Sequence, residues 1–94
     1  MKSILQVEQD KCFLCGKKGN LDTHHVMNGP FRKKSEKWGG VIKVCRDCHR
    51  KIHDNPSLAK ELKQGFQHTF GLLYGQNLWM KEFKKNYEDT IWIS

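Results

Sequence analysis

Two Cys-x2-Cys knuckles, Cys12/Cys15 and Cys45/Cys48, bracket an adjacent pair of histidines, His24 and His25. No other feature constrains this chain as strongly. Each knuckle can hold two thiolates about 3.5–4 Å apart, which is what one tetrahedral zinc ion requires. The 29 residues between the pairs exceed the span of a simple zinc finger, so the intervening segment must carry something further. Disulfides are the competing use of four cysteines. The segment Ile4-Leu5-Gln6-Val7-Glu8 turns polar too soon for a signal peptide. No apolar run approaches the roughly 20 residues of a membrane-spanning helix. The sequence therefore predicts an intracellular, cytoplasmic protein, where thiols stay reduced. Cys12, Cys15, Cys45 and Cys48 are read as ligands of a structural Zn2+. A chain of 94 residues has a marginal core of its own, and such a staple compensates for it.

The pattern along the chain predicts a small α+β fold in a single domain, residues 1–94, with a zinc-stapled core over 8–55 and a helical tail over 56–94. Ile4–Val7 and Leu21–Val26 read as short strands, and Val41–Val44, β-branched and running into Cys45, is the clearest strand. Asn28-Gly29-Pro30 signals a turn. Ser35–Trp38 suits a helical turn, and residues 46–53 read as helix. Pro56 and Ser57 open a longer helix with Leu58, Leu62, Phe66, Phe70 and Leu73 as one apolar stripe. Gly75 ends it, and a last helix carries Leu78, Trp79, Phe83 and Tyr87 on one side. The tail is read as a helical pair covering the metal-bound half; an exposed face for dimerisation or a protein partner is the alternative.

Four of the five histidines lie among the cysteines. His49 and His53, four residues apart on a helix, share a face and can converge on one ion. His68 has no such company and reads as a structural or surface residue.

The formal net charge is +7, and all of it lies in residues 1–53; residues 54–94 balance to zero. Basic excess around a Cys/His cluster points to a polyanion partner, most simply nucleic acid. Arg32, Lys33, Lys34 and Lys37, with Lys43, Arg46, Arg50 and Lys51, are the candidate phosphate contacts, set against the plainer reading of a solvated face. Such contacts position a duplex without reading its sequence.

Thr23-His24-His25, followed by Val44-Cys45-Arg46-Asp47-Cys48-His49-Arg50-Lys51-Ile52-His53, resembles the zinc-containing branch of the HNH, or His-Me finger, nucleases. The resemblance covers roughly residues 11–54, and the wide spacing is similar to that of small bacteriophage-encoded members. It implies a ββα-metal core and a phage or prophage origin in a bacterial cell. It implies that His24, His49 and His53 bind a catalytic divalent ion such as Mg2+ or Mn2+. It also implies that His25 is the general base. Histidine suits that task, because its intrinsic pKa lies near 6.5. One position departs from the pattern. The family carries an Asn about five residues before the third cysteine, where it pins the loop of the base; here Gly40 stands there. The backbone does that work, another residue does it, or the nuclease is weak or dead.

These features predict a DNA endonuclease or nicking enzyme acting on duplex DNA, and no membrane association. Cutting both strands would be simplest for a homodimer. The alternatives are an inactive HNH-like protein that binds nucleic acid, and a protein-interaction or inhibitor module. The last would use Phe66, Phe70, Leu73, Trp79, Phe83 and Trp92 of the tail.

Overall fold

The computed structural model describes residues 3–87. Their order is β1 (Asp22–His25), a 3-10 turn (Gly29–Phe31), α1 (Arg32–Lys37), β2 (Val41–Val44), α2 (Arg46–Asp54), α3 (Pro56–Tyr74) and α4 (Gln76–Phe83). The described residues thus form a small α+β fold with four α-helices and one two-stranded sheet.

β1 and β2 run antiparallel, with Asp22 opposite Val44, His24 opposite Ile42 and His25 opposite Val41. Ile42 and Val44, two residues apart and so on one face of β2, belong to the core cluster, which fixes the register, because a slip by one residue would turn them away from it. Ile4–Val7 is not the strand its sequence suggests. Ser3 Oγ accepts from the Leu5 and Gln6 amides and curls the chain into a turn. The Gln6 side chain then serves the sheet in place of a strand. Its Oε1 accepts from the Lys43 amide at 2.7 Å, while its Nε2 donates to the Glu8 and Lys11 carbonyls. The first knuckle docks on the same strand through Phe13 N–H to Lys43 C=O, 2.8 Å.

Asn55 caps α3 with its side-chain oxygen on the Ser57 and Leu58 amides, and Pro56 takes the first turn, where no amide is needed. The α3 stripe holds through Leu62, Phe66 and Phe70, but Leu73 is 56% exposed and does not belong to it. Tyr74 continues the four-residue repeat at its exposed end, 47% accessible but with its ring against Phe70 and Trp38, 5.0 and 5.2 Å between centroids. The chain reverses at Gly75, whose φ of +94° suits a residue without a β-carbon.

Phe66, Phe70, Trp79 and Phe83 are fully buried and meet mostly edge to face, an arrangement that favours aromatic pairs. Val26, Met27, Ile42, Val44 and Ile52 join them in one core with Cys12, Cys45 and Cys48. Tyr87 lies beyond α4 rather than on it. Its amide donates to Gln67 Oε1, and Gln67 Nε2 reaches Asn86, so one buried amide ties the segment after α4 back to α3. Trp92 lies outside the described residues. No helix among them is long and apolar enough to cross a membrane.

Candidate functional site

The four cysteine sulfurs lie within 4.8 Å of one another and are not disulfide-bonded. Each knuckle turns one sulfur towards a backbone amide, Cys15 N–H to Cys12 Sγ and Cys48 N–H to Cys45 Sγ, both 3.5 Å. Cys45 also caps α2. The Cys15–Cys45 separation of 3.8 Å matches the edge of a tetrahedron with metal–sulfur bonds of about 2.3 Å. Burial opposes ionisation of Cys12, but amide hydrogen bonds from Cys15, Cys45 and Leu14 outweigh it and bring the thiol down to about 6. Burial pushes Cys48 up to about 12, and its hydrogen bonds to the other three thiols add to the shift. Four thiolates packed this closely need a cation among them. The cluster could hold a structural metal ion.

A second cluster lies where β1 meets α2. His24 from β1 and His49 and His53 from α2 offer ring nitrogens within 4.8 Å of one another. The i, i+4 spacing on α2 sets the two later rings side by side, their Nε2 atoms 3.2 Å apart. His24 meets both rings edge-on, with centroids 5.3 and 5.9 Å away. Burial, followed by the nearby His49, His53, His25 and Lys63, lowers the His24 pKa to about 4. Its imidazole is therefore neutral at neutral pH, as a metal ligand must be. Asp22 Oδ2 lies 3.1 Å from His49 Nδ1. A carboxylate there accepts a hydrogen bond from Nδ1–H, which favours the tautomer whose Nε2 lone pair faces His53 and His24. The residues fit a divalent cation bound through nitrogen.

His24, His49 and His53 line a cavity of about 230 Å³ together with Thr23, His25, Asn28 and Arg32. His25 is the last residue of β1. Its Nε2 is buried without a hydrogen-bond partner, and the Glu36 carboxylate lies 3.4 Å away, off the hydrogen-bond direction. Gly40 has no room for a side chain. A β-carbon there would overlap the Phe66 ring and sit 2.8 Å from Ser35 Oγ.

The basic residues are dispersed. Arg32 lines the histidine cavity. Lys33 and Arg46 are exposed. Lys34 donates to the Glu82 carbonyl at 2.9 Å, tying α1 to α4. The Lys37 ammonium lies 5.2 Å from the Trp38 ring centre. Lys43 pairs across the sheet with Thr23. Arg50 and Lys51 share a different hollow with Asp47 and Asp54. Phe31 and Trp38, interleaved with this segment, pack on Phe83 and Phe70 and anchor it to the aromatic core. His68 lies on an exposed part of α3, away from both clusters.

Asp22, Ser35 and Glu36 escaped the sequence reading. Asp22 lies two residues before His24, a spacing that could have suggested a supporting carboxylate; Ser35 and Glu36 stood out only as part of the basic helical turn between the histidine pair and the second knuckle, with no role of their own. No protein-family model matches the chain, and neither a curated protein nor a solved structure is significantly similar to it.

Proposed function

We propose that this protein is a metal-dependent DNA endonuclease or nicking enzyme of the HNH type, with β1, β2 and α2 as a ββα-metal core and a structural Zn2+ on Cys12, Cys15, Cys45 and Cys48. One observation carries the reading: three histidines converge in a cavity that also presents His25 and Arg32. His24, His49 and His53 would hold a divalent ion such as Mg2+ or Mn2+. When bound, that ion supplies positive charge beside the phosphate and the leaving 3′-oxygen.

His25 takes a proton from a water molecule in the cavity. The water oxygen bonds to phosphorus as the bond from phosphorus to the 3′-oxygen breaks. The 3′-oxygen leaves and is protonated from solvent, giving a 5′-phosphate and a 3′-hydroxyl. Arg32, which lines the same cavity, would donate to a non-bridging phosphate oxygen, a contact strengthened by charge. Asp22 holds the His49 ring in one tautomer and orientation. Lys33, Arg46, Arg50 and Lys51, exposed away from the cavity, would supply further phosphate contacts along a bound duplex, independent of base sequence.

The test is plasmid nicking by the purified protein with Mg2+ or Mn2+. EDTA and His25→Ala are each expected to abolish it. Nicking that survives His25→Ala removes His25 as the base.

Gly40, without the family's Asn side chain, motivates a second reading: a nucleic-acid-binding protein without catalysis. It predicts DNA binding that weakens steeply with salt and no cleavage with any metal. The aromatic tail gives less support to a protein-interaction role, because Phe66, Phe70, Trp79 and Phe83 are fully buried within the chain.

A further inference from the structure

His25 ends β1, and the chain turns immediately after it through Val26 and Met27. A general base in that place is only as well aimed as the turn is rigid. The turn is held by a small closed network. Val26 N–H donates to the Gly40 carbonyl at 2.9 Å, and Gly40 N–H donates to the Ser35 carbonyl at 2.7 Å. Met27 N–H donates to Ser35 Oγ at 3.1 Å, while the Ser35 hydroxyl donates to the Gly40 carbonyl at 2.6 Å. Ser35 is completely buried. With its proton committed to Gly40 and a lone pair to Met27, the hydroxyl has no free rotor left. Position 40 cannot contribute a side chain, because Phe66 fills that space.

We infer that Ser35 is the positioning residue for His25: from α1 its hydroxyl clamps the turn after β1 to the entry of β2 and so fixes the His25 ring in the cavity. The inference rests on His25 being the general base. Ser35 touches neither water nor phosphate and acts only through the backbone. The next residue of the same helix, Glu36, places its carboxylate 3.4 Å from His25 Nε2, so α1 approaches the base from both backbone and ring.

The experiment compares wild type with Ser35→Ala in the full zinc-loaded chain. Removing one buried oxygen is expected to lower kcat for plasmid nicking about 10- to 100-fold, as a misplaced catalytic group does. Zinc content and DNA affinity stay within twofold of wild type. Amide exchange at Met27 accelerates and the His25 ring signals shift in NMR spectra, while the Cys12 and Cys45 amides do not change. Ser35→Cys keeps the shape and weakens both bonds; it is read in the same way if the alanine variant loses its fold. Wild-type kcat, or an unchanged Met27 amide and His25 ring, overturns the inference. If the wild type cleaves nothing with any divalent metal, the nuclease reading falls, whereas the Met27 and His25 signals still decide whether Ser35 holds the turn.

Discussion

Gly40 joins the aromatic core to the histidine cavity at the scale of a single residue. Its α-carbon faces the Phe66 ring, and its amide and carbonyl both bond to Ser35. Phe66 is fully buried and cannot swing away. Gly40→Ala is therefore expected to destabilise the protein by about 1–3 kcal/mol, the usual cost of overpacking a closed core. Denaturant unfolding checks it; an unchanged midpoint would show that the ring gives way. Position 40 thus has no room for any side chain, an Asn included. Two neighbouring requirements, a flat aromatic on one side and a hydroxyl on the other, leave space only for hydrogen.

At the scale of elements, the histidine cluster depends on α2 meeting β1 in one orientation. His49 and His53 come from one helix face, His24 from the strand, and Asp22 from two residues earlier on that strand. Asp22 lies 3.1 Å from His49 Nδ1 and would fix that ring's tautomer, so Asp22→Asn is expected to weaken the divalent-metal affinity proposed for this cluster by about 10- to 100-fold. Calorimetric titration of Mn2+ into the zinc-loaded protein measures it. An affinity equal to wild type would mean that His49 keeps its orientation without the carboxylate. The i, i+4 histidines were legible because helical periodicity alone sets them side by side. Asp22 was not, because its partner lies 27 residues away.

At the scale of the molecule, the cysteine cluster and the core are one structure. Cys12, Cys45 and Cys48 belong to the same buried cluster as the α3–α4 aromatics. A zinc ion on these cysteines would contribute on the order of 10 kcal/mol, comparable with the whole stability of about 5–15 kcal/mol expected of a domain. A thiol-competent zinc chelator is therefore expected to lower Tm by well over 10 °C and broaden the transition, read by circular dichroism. Unaltered melting would show that the aromatic core stands without the metal. Four thiolates around Zn2+ would carry a net −2 and make the basic half less positive than its formal +7. The placement of charge then counts for more than its sum, and only Arg32 of the predicted basic contacts lines the histidine cavity.

The sequence by itself determined the cysteine knuckles, the paired His49 and His53, the β2 strand, the helices and the confinement of positive charge to one half. Each follows from short-range rules: knuckle spacing, helical periodicity, β-branching and residue counts. It misread Ile4–Val7, because a Ser3 hydroxyl and a Gln6 amide replaced the expected strand pairing. It extended the α3 stripe to Leu73, because only the approach of Trp38 selects Tyr74 instead. Tertiary structure alone decided that both histidine-bearing elements open on one cavity, that Lys34 is spent on α4, and that Ser35 holds the turn after His25. These are contacts between groups far apart in the chain, and their geometry exists only once the core has closed around Phe66.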